Sequence, residues 1–184
     1  MSCADRYAVR PMDPAALDIR IAVPDDASAL AGTTRLGFES YRAWAPEGWE
    51  PPPHSLEIRS IRERLRHSTT WCAMALDDAG EHAGHVGITH AAERERPHVR
   101  IPGRAHLWML FVRPPWWGTG LAARLHRLAL EEAARQDYET IRLYTPAGAA
   151  RARAFYAREG WALAGPSFLE PLLGLDLVEY RRAL

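Results

Sequence analysis

Apolar residues alternate with polar ones at Ile19, Ile21 and Val23, the period-two mark of a strand. Pro24 and Asp25 then open a helix with Asp25 as its expected N-cap. Leu30, Thr34, Phe38 and Tyr41 fall on one stripe of that helix, which reads as core-facing. The pattern fades at residues 46–54, where four prolines surround Trp49 and predict a shaped loop. A charged helix follows over residues 55–67. Residues 70–76 and 83–91 read as the strands of a hairpin, and the charged, breaker-rich stretch 93–103 as an exposed loop. Residues 104–112 form the next strand. Residues 118–135 give the strongest helical pattern, with Leu121, Leu125, Leu128 and Ala129 on one face. A strand at 141–145, a helix at 149–159 with Gly160 as its C-cap, and strands at 161–164 and 175–180 complete the chain. Residues 1–16 show no periodicity and read as a loose leader. The order β-α-α-β-β-β-α-β-α-β-β, without repeats or a long linker, predicts a single α/β domain with a mixed sheet.

Composition narrows the function classes. The 184 residues suit one domain, and 47% hydrophobic with 25% charged residues is ordinary for a globular protein. A formal net charge of zero gives no electrostatic support for binding nucleic acid or a membrane surface. Cys3 and Cys72 make neither a disulfide framework nor a zinc site. No two histidines show metal-ligand spacing. The amino terminus lacks the apolar core of a signal peptide, and the longest apolar run, residues 107–112, is too short to span a bilayer. The expected location is the cytoplasm.

The chemistry concentrates at residues 110–122, Leu-Phe-Val-Arg-Pro-Pro-Trp-Trp-Gly-Thr-Gly-Leu-Ala. A strand ends at a proline, and a glycine-rich turn opens the long helix. Free amides at such a helix start bind phosphate, because unpaired N–H groups and the positive end of the dipole point the same way. A dinucleotide fingerprint is a poor alternative. The third glycine is absent, and the turn follows the fourth strand instead of the first.

These motifs resemble the GNAT superfamily of acetyl-coenzyme A-dependent N-acetyltransferases. Val112 and Pro114, then Trp117-Gly118-Thr119-Gly120-Leu121-Ala122, stand where that family has a strand-ending Val and Pro followed by Gln/Arg-x-x-Gly-x-Gly/Ala. Ala152, Phe155, Tyr156, Gly160 and Trp161 match a second family signature, and the likeness covers about residues 18–164. It implies a mixed, mostly antiparallel sheet of about seven strands flanked by about four helices, splayed between the fourth and fifth strands. It also implies that acetyl-coenzyme A is held by the amides of residues 117–122 and by the main chain of Leu110, Phe111 and Val112, with Ala149 and Ala152 beside the pantetheine arm. Two residues depart from the pattern. Trp117 stands for the usual Gln or Arg, and Ala149 for a common asparagine.

The resemblance further implies that Tyr156 is the general acid that returns a proton to the leaving thiolate. His106 lies where several members place a general base, the alternative being a histidine satisfied at a strand end. His85, His90 and Glu39 are further candidates for that role. Trp44 and Trp49, with Glu39, are the candidates for binding a cationic amine. Phe38 and Tyr41 read as core. The implied activity is direct acetyl transfer to a small primary amine in a ternary complex, without a metal. Alternatives are a protein or peptide amine as acceptor, or a coenzyme A-binding module that catalyses nothing. Many relatives pair through their C-terminal strands, so a homodimer is an expected partner.

Overall fold

A computed structural model describes residues 12–184. The strands are β1 (Asp18–Ile21), β2 (Trp71–Leu76), β3 (His82–Ala92), β4 (Arg100–Val112), β5 (Thr140–Pro146), β6 (Ala162–Glu170) and β7 (Leu175–Ala183). The helices are α1 (Ala27–Glu39), α2 (His54–Leu65), α3 (Leu121–Arg135) and α4 (Ala150–Arg158). The seven strands form one sheet in the order β1-β2-β3-β4-β5-β7-β6. Every neighbouring pair is antiparallel except β4 and β5.

Two apolar layers sandwich this sheet. On one face Leu121, Leu125, Ala129 and Ala133 of α3 are fully buried against Val86, Ile88, Leu107, Ile141 and Leu143. Each buried leucine there contributes roughly 1.5–3 kcal/mol. His126 shares this buried face, whereas Leu128, expected on it, is only half-buried. On the other face Leu30 and Ala31 of α1 and Ile61 of α2 cover Cys72, Met74 and Met109.

Several boundaries differ from the sequence reading, for physical reasons. Helix α1 is entered through a 3-10 turn at Pro24–Asp26, and Asp26, not Asp25, occupies its N-cap position. The Asp26 carboxylate accepts from the Val23 amide at 2.8 Å and from both Arg20 nitrogens at 2.7 Å. Strand β4 begins at Arg100, so the exposed loop is shorter than expected. Its breakers Pro102 and Gly103 (φ 65°) fall where the β3–β4 register shifts, and a bulge admits residues a regular ladder excludes. Strand β6 runs on to Glu170 by the same device, with Gly165 and Pro166 inside a register shift against β7.

Most of the expected leader, residues 1–11, lies outside the described residues. Residues 12–16 are not loose. Pro14–Ala16 form a 3-10 turn capped by the Asp13 carboxylate, Leu17 is buried in the core, and Arg124 donates to the Pro14 carbonyl.

The feature that makes a site is the parting of β4 from β5. Their parallel ladder runs from Arg104 opposite Thr140 to Leu107 opposite Leu143 and stops. Trp108 sits at a bulge there, because the β3 register passes from Leu107 directly to Met109. Beyond it β4 stays paired with β3 alone, so its β5-facing edge is bare from Trp108 to Val112.

Candidate active site

The wedge between β4 and β5 opens into a cavity of about 710 Å³. Leu110, Phe111 and Val112 of β4 form one wall, and the residues from Gly148 to Ala152, with Phe155 and Tyr156, form the other. Trp117, Gly118, Gly120 and Ala122 form its glycine-turn end, while Gly37, Ser40, Tyr41 and Trp44 close the opposite end. The cavity therefore passes through the plane of the sheet, with α3 and α4 on one side and the end of α1 on the other.

The glycine turn gives this cavity its polarity. Gly118 (φ 82°) and Gly120 (φ 96°) lie in the left-handed region, where a side chain is strained. That conformation turns the chain into α3 within two residues. Among the described residues no hydrogen-bond acceptor is found for the amides of Gly118, Gly120, Ala122 and Ala123. Four amides at the positive end of a helix make a ready anion site. Thr119 and Leu121 do not line the cavity. The Thr119 hydroxyl donates to the Trp116 carbonyl at 2.8 Å, and the Leu121 side chain is in the core.

Trp117 does more than omit a polar side chain. Its indole N–H donates to the Val112 carbonyl at 2.7 Å, tying the turn to the end of β4. Its ring carries the Arg151 guanidinium, 4.5 Å from the ring centroid. Arg151 lines the cavity and has no carboxylate within ion-pair distance among the described residues. Ala149, at the N-cap of α4, offers that helix no side-chain cap.

Tyr156 is buried among Phe155, Trp161 and Tyr180, with ring centroids 5.4, 5.8 and 6.1 Å away. Burial, helped by the nearby Tyr41 phenol, pushes its pKa above the ordinary value for tyrosine. The phenol is therefore protonated at any physiological pH. A buried relay fixes α4 to α3 just beyond it. Trp161 Nε1 donates to His126 Nε2 at 2.9 Å, and His126 Nδ1 lies 3.4 Å from the Glu159 carboxylate. Accepting at Nε2 requires the proton to sit on Nδ1.

His106 does not line this cavity. Its ring lies tilted against Tyr144 at 5.2 Å, its Nδ1 is enclosed without a partner, and burial lowers its pKa to about 3. A ring so poised is a weak proton acceptor at neutral pH. His85 is fully buried between α1 and β3, and burial holds its pKa well below the usual value. His90 lies half-buried beside Thr69.

The acceptor-side candidates divide. Trp44 lines the cavity and packs over Gly148, where a Cβ would come within 2.4 Å of the indole. Trp49 is a tie: its Nε1 donates to the Leu173 carbonyl at 2.7 Å, joining the α1–α2 loop to the β6–β7 turn. Glu39 faces solvent and is held by Arg42 at 2.6 Å and Arg35 at 3.2 Å, so its charge is already matched. Tyr41, expected in the core, lines the cavity and lies tilted against Trp44 at 4.8 Å. Sequence reasoning missed Arg151, Gly148 and Ser40 as well. The short spacing of Gly148 from Ala149 was the one available signal, since a glycine beside a motif often marks a close approach.

Among the described residues no helix is long and apolar enough to cross a membrane, and no group of three or more His, Cys, Asp or Glu could hold a metal ion.

Comparison with known proteins adds the family. The model of the acetyltransferase (GNAT) family matches residues 36–161. Among solved structures, a GNAT-family acetyltransferase from Desulfovibrio desulfuricans is 20% identical, with a TM-score of 0.68 over 91% of this chain and 99% of that one. The paia N-acetyltransferase of Thermoplasma acidophilum, solved in complex with coenzyme A, is 15% identical, with a TM-score of 0.64 over 91% and 99%. The ribosomal-protein-alanine N-acetyltransferase of Brucella melitensis is 19% identical, with a TM-score of 0.66 over 91% and 100%. At these identities the likeness is one of fold. No curated protein matches the chain significantly. The family match spans most of the sheet, both glycine-turn and Phe-Tyr motifs and the wedge between them, and the chain belongs to the GNAT family of acetyltransferases.

Proposed function

We propose that the protein transfers an acetyl group from acetyl-coenzyme A to a primary amine of a small molecule, by direct attack within a ternary complex. One observation carries this reading: unpaired helix-start amides, a bare strand edge and a protonated buried phenol all line one cavity that crosses the sheet. The residues fit the cosubstrate end to end. Amides of Gly118, Gly120, Ala122 and Ala123 hold the pyrophosphate, and Arg151, carried on Trp117, supplies the cation that position 117 lacks. The free edge of β4 accepts the pantetheine amides as an added strand would. Its N–H groups at the wedge stabilise charge on the acetyl oxygen as the amine attacks.

In the transfer, a bond forms between the amine nitrogen and the acetyl carbon, and the carbon–sulfur bond breaks. Tyr156 gives its proton to the departing thiolate and is reloaded from solvent. The amine's own proton goes to water, the Glu159 carboxylate on the cavity lining being turned to His126 Nδ1 at 3.4 Å. Tyr41 and Trp44 form the aromatic wall against which the amine's carbon skeleton lies. Initial rates with acetyl-coenzyme A and the amine both varied test the order of events. Intersecting lines, with acetylated amine as product, support the ternary complex, and parallel lines overturn it.

A further inference from the structure

A second cavity, of about 340 Å³, is lined by Arg142, Tyr144 and Phe168. On β5, Ile141 and Leu143 point into the α3 side of the core. Alternation along a strand therefore turns Arg142 and Tyr144 to the opposite face, where they meet β6, β7 and the loop after β3. Tyr144 is the first β5 residue beyond the last β4–β5 pair, so it stands at the point of the wedge. The cavity thus adjoins the strand position at which β4 and β5 part.

Its deepest charged group is Arg142, only 7% exposed. The guanidinium lies 4.8 Å over the Tyr144 ring and donates one N–H to the Ala92 carbonyl. Its Nε has no partner, and no carboxylate lies within ion-pair distance of it among the described residues. The carboxylates at the rim are already engaged: Glu93 by Arg96 at 2.6 Å, Glu179 by Arg181 at 2.6 Å, and Glu95 beside Arg94 at 3.7 Å. A buried cation without a counter-ion is a costly arrangement, and proteins pair such groups or use them to bind anions. Phe168, edge-on to Tyr144 at 5.1 Å, adds an apolar wall.

We infer that this cavity binds the acidic group of the acceptor, a carboxylate or phosphate, against Arg142 while the acceptor's amine reaches the wedge. The guanidinium lies over Tyr144, the residue at the wedge point, so the anion and the reacting amine are held only a short chain apart. The acceptor class is therefore an amino acid or amino-phosphate with a short chain between its amine and its acidic group. This rests on the acetyl-transfer reading for the amine end only. The anion site stands on Arg142 alone.

The test is a binding titration of the coenzyme A-loaded and the free protein, followed by the guanidinium Nε resonances. The probes are 6-aminohexanoate, 5-aminopentylphosphonate and hexylamine, which share a run of methylenes from the amine and differ only in the group at its far end. The expected result is at least tenfold tighter binding of an acidic probe than of hexylamine, with the Arg142 resonance shifted. Whichever of carboxylate and phosphonate binds tighter identifies the anion. In Arg142→Gln the preference disappears, and in Arg142→Lys, which keeps the charge, part of it returns. Equal binding of all three probes by the wild-type protein overturns the inference, as does a preference that survives in a folded Arg142→Gln. Anion binding at Arg142 without turnover of any amine upholds the site and defeats the acetyl-transfer reading instead.

Discussion

The Arg151 guanidinium, at the start of α4, rests 4.5 Å above the Trp117 ring, at the end of the β4 turn. These residues are far apart in the chain and belong to opposite walls of the cavity. Their contact changes the meaning of the tryptophan. What reads in the sequence as a lost phosphate ligand is a platform that presents a cation from across the groove.

Arg151→Ala is accordingly expected to weaken coenzyme A binding about tenfold, close to the value of one charge-assisted contact. The effect should shrink as salt is raised. Trp117→Ala should do the same and also loosen the turn, because it removes the bond to the Val112 carbonyl. Calorimetric titration at two salt concentrations checks both. An unchanged affinity in Arg151→Ala would show that the cation does not face the phosphates.

Gly120→Ala separates the cradle from the fold. Nothing lies within 4 Å of a Cβ built there, so the cost to stability is backbone strain of about 1–2 kcal/mol at φ 96°. A side chain disfavours the left-handed backbone that aims the free amides, so coenzyme A affinity is expected to fall by more than tenfold. Thermal melts beside binding titrations distinguish the two effects. A variant that melts lower yet binds normally would place the phosphates elsewhere.

Acid should unlock α4 from α3. Burial lowers the His126 pKa to about 4, below the value of about 6.5 it has when unfolded. The unfolded chain thus binds the proton first, and the stability this group contributes is present above pH 6.5 and lost as pH falls toward 4. The loss is up to about 3 kcal/mol at its limit. Protonation at Nε2 also sets an N–H against the Trp161 N–H and breaks that bond. Denaturant unfolding between pH 7 and pH 4 should show a shallower loss in His126→Gln than in the wild type.

The acidic limb of the kcat/KM profile is expected to persist in His106→Gln and to move with the pKa of the amine used. The ring is enclosed and its pKa of about 3 lies below that limb. A limb that vanishes in the variant would assign the proton to His106.

How far the sequence revealed the molecule follows from where its information is local. Strand alternation and the α3 stripe are local patterns, and the elements they predict are present. Pro102, Gly103, Gly165 and Pro166 misled because a breaker ends a regular strand but merely bulges one whose partner shifts register. The glycine turn was legible because phosphate chemistry needs its residues in succession. Tyr41 was not, since a stripe that faces a cavity has the same period as one that faces the core. The Trp117–Arg151 contact and the unpaired Arg142 left no trace at all, because each depends on elements brought together only by the sheet order.

Thiol release from acetyl-coenzyme A in the presence of a panel of small amines, measured for the wild type beside Tyr156→Phe, tests the central claim most directly. The account predicts amine-dependent release whose kcat falls about a hundredfold or more in the variant, the usual scale of a lost general acid, with coenzyme A affinity unchanged. Tight coenzyme A binding with no release for any amine, or release undiminished in Tyr156→Phe, would contradict it.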